Sequence, residues 1–300
     1  MFQAQRLAFY SCISPVHVGA GPAIGAIDYP IQREVHTQHP LLPGSSLKGA
    51  TRHRFARLWG DPAMVARVFG AERLTGGPAG AIAFADAQLV AFPVRSLRRA
   101  YVYATSPAAL ARLKRMAGAA ADWSVPAVPD DTALMASAGA ASGGRLVLEA
   151  FDFEAQEDAA LRRIGQWLGT HALPAGEGFA YFRDKLATDL VLLGDTELGH
   201  FVRHATVLES HLRCQDDSGG GGQLFHTENL PPETLLAGLV LASVERRLGQ
   251  GCSATPPMDA SSVLASVLDG PGGLAGGLLQ VGGQASTGRG LVAVNAMEPA

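Results

Sequence analysis

Short apolar runs with strand character alternate with helix-spaced runs along this chain, and glycine or proline breaks most of the junctions. That alternation restricts the fold more than any single motif. "RLAFYSCI" (residues 6–13) is aromatic and β-branched and predicts an opening strand. "HVGAGPAIGAIDYP" (17–30) is too punctuated for either helix or strand. "GSSLKGATRHRFARLWG" (44–60) predicts a helix with Ser45 or Ser46 as N-cap, Leu47, Phe55 and Leu58 near one face, and Gly60 as the stop. Residues 81–94 and 100–106 read as strands separated by the basic "RSLRR", and 107–117 as a short helix. Low-complexity Ala/Gly/Ser/Pro segments from about 118, expected to be mobile, come next, and strand-like "RLVLEAFDF" and helical "EDAALRRIGQWLG" lie between them and residue 205. "ATVLESHLRC" and "LFHTENL" pair across the tip "QDDSGGGGQ" as a hairpin. "ETLLAGLVLASV" suits a buried strand or a helix, and "GLLQVGGQASTGRGLVAV" reads strand, glycine-rich loop, strand. The sum is an α+β sheet domain with helices packed on one face.

With 47% hydrophobic and 17% charged residues in 300, a large core is available and overall disorder is excluded. No apolar stretch approaches about 20 residues, and the N-terminus lacks the basic-then-apolar layout of a signal peptide. A soluble, cytoplasmic protein with no membrane partner is expected. Cys12, Cys214 and Cys252 are far apart and form no CxxC pair, which argues against a disulfide framework or a zinc site.

The net charge of −3 weighs against a free-standing nucleic-acid binder, but the charge is segregated. Lys48, Arg52, Arg54 and Arg57 cluster in one stretch, Arg95, Arg98 and Arg99 in another, with acids concentrated at 152–158 and 216–217. Three constellations are candidates for chemistry. In "VGGQASTGRG" (281–290), backbone N–H groups of Gly282, Gly283, Thr287 and Gly288 suit a phosphate nest, with Ser286 and Arg289 beside them. The plainer reading is a strand connection; the order is not that of a P-loop. At the start of the 44–60 helix, the dipole favours an anion near Ser45 and Ser46, and Lys48 in the first turn opposes the dipole unless something negative lies between. Asp28 suits one or two positions on a hydrated Mg²⁺ or Mn²⁺, or contact with a ribose 2′-OH, or simply the opening of a turn before Tyr29-Pro30. His17 is a phosphate contact, an acid/base group or a structural histidine. Aromatic residues are too few for a stacking platform, so bound RNA would be held mainly through its backbone.

"DYPIQREVHTQHPLLPGSSLKGATRHRF", "FPVRSL", "LFHTENLPPET" and the terminal "GGQASTGRG", in this order, resemble the RAMP superfamily, and within it the Cas-seven-type backbone subunits of type III-B CRISPR (Cmr) effector complexes. The resemblance spans nearly the whole chain as a single domain, 1–300. It implies a modified ferredoxin-like (RRM-like) palm, a largely helical insertion over 107–205 and a β-hairpin thumb over 212–228. Copies would stack as a filament on the guide RNA (crRNA) beside other Cmr subunits, and complementary target RNA would be cut at each thumb with a divalent metal. Asp28 matches the family's catalytic and metal-binding aspartate, and Glu228 is a secondary catalytic candidate. His17, Ser45, Ser46 and Lys48 match guide-binding positions. Arg52, Arg54, Arg213 and the glycine loop extend that surface, with Leu224 and Phe225 as wedges. A non-catalytic filament subunit, the type III-A counterpart and a stand-alone nuclease processing guide precursors are the alternatives.

Overall fold

The computed structural model describes residues 2–23, 25–71, 77–213, 223–246 and 256–299. Along the chain, β1 (Ala4–Cys12) and β2 (Leu41–Leu42) precede α1 (Gly44–Trp59) and α2 (Pro62–Phe69), and β3 (Ile82–Phe84), β4 (Ala87–Arg95) and β5 (Tyr101–Thr105) follow. The middle carries α3 (Pro107–Ala117), β6 (Thr132–Met135), β7 (Arg145–Leu148), β8 (Phe151–Glu157), α4 (Ala159–His171), α5 (Ala180–Thr188), β9 (Leu190–Leu192) and α6 (Asp195–His204). A hairpin of β10 (Val207–Arg213) and β11 (Gln223–Asn229) leads to β12 (Leu235–Ala242), α7 (Ala260–Leu268), β13 (Gly277–Gln280) and β14 (Leu291–Met297).

Among the described residues every strand except β10 and β11 joins one sheet, ordered β13-β14-β1-β12-β4-β5-β9-β6-β8-β7, with β2 on β4 and β3 on β12. The antiparallel run β14-β1-β12-β4, crossed by α1 and α7, is the split βαβ arrangement of a ferredoxin-like palm. "ETLLAGLVLASV" resolves to strand, because β12 lies between β1 and β4 with both faces covered. Helices cover both faces of the sheet, not one. From Leu7 onward every residue of β1 is buried, and such a strand has no face to give to solvent. Tyr10 packs in the layer of α1, α2 and α7 through Phe55, Val68 and Leu264. Leu7 and Phe9 pack in the layer of α3 and α4 through Leu110, Leu113, Ile164 and Leu168.

The segment 107–205 has more helix than strand, in α3, α4, α5 and α6, but it also carries β9, β6, β8 and β7, which extend the palm sheet beyond β5. Its Ala-rich stretches, expected to be mobile, are packed in part. Ala121, Trp123, Ala136 and Ala140 are buried, and Trp123 meets Trp167 at 5.8 Å between ring centroids. Small residues here permit close approach. A Cβ on Gly165 or Gly169 would lie 2.7 or 2.8 Å from carbonyl oxygens of α5.

The start of α1 also differs from expectation. Pro43 is the N-cap, with no side-chain capping bond, and Ser45 and Ser46 lie within the first turn. The carboxylate of Asp86 accepts the N–H of Gly44 at 2.7 Å, so the helix start already holds an acid. Leu47, Thr51 and Phe55 form the buried face, whereas Leu58 is 48% exposed. Gly60 ends the helix at φ 60°, as expected.

Candidate nucleic-acid interface

The loop between β1 and β2 folds back on itself through Gln32 N–H to Val18 O (2.8 Å), Ala20 N–H to Pro30 O (2.9 Å) and Ala23 N–H to Asp28 O (2.9 Å). Both limbs then pair with the outer edge of β11. Val16 and Leu230 exchange bonds of 3.0 and 2.9 Å, Tyr29 N–H donates to His226 O, and Glu228 N–H donates to Tyr29 O, each at 3.0 Å. His17 Nδ1 lies 2.7 Å from Glu228 O. A carbonyl only accepts, so Nδ1 carries a proton in this contact. Asp28 Oδ2 accepts the His226 N–H at 2.7 Å, and His226 Nδ1 stands 3.4 Å from the same oxygen. His17 and Asp28 are therefore carried by one strand at positions two residues apart, about 7 Å along it. The Asp28 side chain is 46% exposed. The His226 backbone N–H, above all, holds its carboxyl below the ordinary aspartate range, so it is ionised at neutral pH.

Glu228 does not fit the catalytic part expected of it. Its side chain is 3% exposed; Oε1 accepts from Arg33 Nη2 at 2.5 Å and from Thr206 Oγ1 at 2.9 Å, and Oε2 accepts from Ile31 N–H at 3.1 Å. It is a structural carboxylate that fixes the hairpin base to the Asp28 loop. Arg33, which sequence reasoning missed, is the other half of this lock and also donates to Gln38 O and Val202 O.

The hairpin register pairs Leu212 with Leu224 and His211 with Phe225. Leu208, Leu212 and Leu224 are exposed on one face. Phe225 is not a free wedge: its ring stacks on His211 at 5.1 Å and meets the edge of Tyr29 at 5.6 Å. Arg213 is the last residue of β10, and the expected glycine-rich tip, 214–222, lies outside the described residues.

At the other end of the site, Ser46, Ala50, His53, Arg54, Arg57 and Leu58 of α1 face Leu279, Gln280, Gly282 and Ala285 across a cleft of about 830 Å³. The helix start and the terminal glycine loop thus converge. The expected phosphate nest is absent, however. The N–H groups of Gly283, Thr287 and Gly288 donate to His17 O, Gln284 O and Ala285 O, and the Thr287 hydroxyl donates to Gln284 O. Ser286 remains exposed on this loop. Gly282, at φ 78°, lies where a Cβ would come 2.2 Å from His17 O. Arg289 is engaged within the fold: Glu209 of β10 grips its guanidinium through Nε and Nη2.

The cations of α1 divide between two flanks. At about 100° per residue, Lys48 and Arg52 turn away from Ser46 and His53. Burial first, then the nearby Arg52 and Arg246, push Lys48 below its usual pKa. Arg52 also donates to Gly70 O. Arg54 lines the cleft, but its guanidinium bridges α1 to Leu278 O (2.5 Å) and Gly272 O (2.8 Å). Arg57 and His53 are exposed on the cleft side. No group of three or more His, Cys, Asp or Glu side chains among the described residues is placed to hold a metal. Asp28 alone fits one position on a hydrated ion shared with RNA, not an ion held by protein alone.

A ferredoxin-like palm, a hairpin rising from it and a basic cleft against a C-terminal glycine turn define an RNA-binding class of fold. The RAMP superfamily model matches residues 9–293, and the chain belongs to that family. It is 28% identical over 299 residues to the CRISPR system Cmr endoribonuclease Cmr4 of Pyrococcus furiosus, covering 95% of this chain and 93% of that protein. The crystal structure of oligomeric Cmr4 from Pyrococcus furiosus superposes with a TM-score of 0.71 at 27% identity, covering 98% of each chain. A chain from a cryo-EM structure of the type III-B Cmr-beta complex bound to cognate target RNA shares the fold, with a TM-score of 0.70 at 18% identity and 98% of each chain covered.

Proposed function

We propose that this chain is the guide-binding backbone subunit of a type III-B CRISPR effector complex, and that it cleaves guide-paired target RNA at Asp28. It works with further copies of itself, other Cmr subunits, crRNA and target RNA. One observation carries the catalytic half: the carboxylate of Asp28 is pinned through one oxygen to β11, at the root of the hairpin, and stays half-exposed and ionised.

Guide phosphates run along the cleft flank of α1, from Ser46 in its first turn past His53 to Arg57 in its last; Lys48, on the opposite flank, meets a separate stretch of RNA backbone. These contacts set register without reading bases, and pairing to the guide supplies sequence. The exposed leucines of the hairpin face displace a target nucleotide and turn the neighbouring ribose. Placing its 2′-OH in line with the adjacent phosphate is where most of the acceleration arises. Asp28 stands where that hydroxyl and phosphate meet, and Arg33–Glu228 keeps its loop from drifting. A divalent ion, Mg²⁺ or Mn²⁺, taken by Asp28 together with RNA phosphate would neutralise charge at the scissile group.

Reconstituted complex incubated with labelled complementary RNA, with and without EDTA, tests this reading. Asp28→Asn is expected to abolish regular cuts while guide binding and assembly persist, and EDTA to abolish cuts by the unaltered complex. Undiminished cutting by Asp28→Asn removes the residue from catalysis. Cuts that survive EDTA remove the metal. No cuts from the unaltered complex leave a purely structural filament subunit.

A further inference from the structure

We propose that His226 is a positioning residue for Asp28, its ring selecting which carboxylate oxygen faces the RNA; this rests on the reading of Asp28 as the catalytic carboxylate. An aspartate carboxylate turns easily about its last torsion, because wells at that bond are broad and two-fold. One hydrogen bond to one oxygen leaves that rotation soft. Here one residue meets the same oxygen twice: the His226 backbone N–H donates to Oδ2 at 2.7 Å, and ring Nδ1 stands 3.4 Å from it. Oδ1 takes part in neither contact.

The backbone that carries the ring is held on both edges of β11. His226 is paired in register with Ser210 on β10, between the Leu212–Leu224 pair and the Leu208–Glu228 pair. Its main chain is fixed on the other edge by Tyr29 N–H. A carboxylate only accepts, so the proposal requires the proton on Nδ1, the ring nitrogen beside Asp28. The ring is 40% exposed, so burial does not explain a histidine here. The Asp28 contact does.

The ring can be altered while the backbone N–H stays. In His226→Asn the amide Nδ2 takes the place of Nδ1; in His226→Gln the donor moves one bond further out; in His226→Leu it is gone. With reconstituted complex under single-turnover conditions, the Asn variant should cleave within about threefold of the parent, whereas Gln and Leu should lose roughly 10–100-fold, the usual range for a partner that orients a functional group. Guide and target affinities should not change. A second readout is Mn²⁺ binding to complex loaded with a 2′-deoxy target, followed by electron paramagnetic resonance; the Leu variant should bind about tenfold more weakly, and the Asn variant like the parent. Parent-like cleavage by His226→Leu overturns the proposal. So does an Asn variant as poor as Leu, which would mean that ring bulk, not the Nδ1 donor, matters. Asp28→Asn is run alongside: if it cleaves normally the catalytic reading itself has failed, whereas failure at His226 alone leaves that reading standing.

Discussion

Arg33 and Glu228 meet across 195 positions of sequence, and neither is solvent-facing. Removing one partner of such a buried pair strands the other, at a cost of roughly 3–5 kcal/mol. Arg33→Ala should therefore lower unfolding stability by about 3 kcal/mol in urea titrations, and Arg33→Ala/Glu228→Ala together should lose less than the sum of the two. Glu233 shows the opposite economy of charge. Burial pushes its carboxyl up to about 6 against the opposing bond donated by the Tyr103 hydroxyl. A folded-state value above the unfolded one means that the group's contribution is intact at low pH and is lost as pH rises through about 6. Glu233→Gln should raise the melting temperature by about 2 °C at pH 8 and leave it unchanged at pH 4. On α1, Lys48→Ala and Arg57→Ala should each lower the salt slope of guide binding by about one, because each is expected to meet one phosphate.

At the scale of elements, the β10–β11 hairpin is not a free arm. Arg33–Glu228 ties it to the Asp28 loop and Arg289–Glu209 to the glycine loop. Loop and hairpin are thus tied to one another, and Arg289→Ala should spread each cut in target RNA over neighbouring phosphodiesters, read on a sequencing gel. Gly282→Val needs a side chain at φ 78° against His17 O, and strain of this kind costs of order 1–3 kcal/mol; it should weaken guide binding more than it weakens the fold. Much of this was legible in residue order: β1, the body of α1 with its Gly60 stop, the hairpin and the β13–β14 return all follow from local pattern. The start of α2 is equally local, since Asp61 caps it and Pro62 occupies its first turn, and only its shortness hides it. What local pattern lacks is long-range pairing. Asp86 lies 42 residues beyond the helix end it caps. The partners that hold Arg289, Arg54 and Glu228 within the fold are also distant in sequence, and nothing near those residues announces them.

For the whole molecule, the low aromatic content and small net charge become intelligible together. A protein that grips a sugar–phosphate chain along one cleft, and leaves recognition to base pairing, needs neither a stacking platform nor a basic surface throughout. Segment 107–205 enlarges the same sheet instead of forming a body of its own, so the palm reaches from the glycine turn to β7 as one surface. No helix among the described residues is long and apolar enough to cross a membrane. The claim on which all of this depends is that the cleft between α1 and the glycine loop holds guide RNA. Replacing Ala50, and separately Ala285, by a photo-crosslinking phenylalanine in reconstituted complex tests it most directly, since both residues line that cleft. Both variants should capture crRNA at adjoining nucleotides; capture of target strand alone, or of no RNA from either position, would contradict the account.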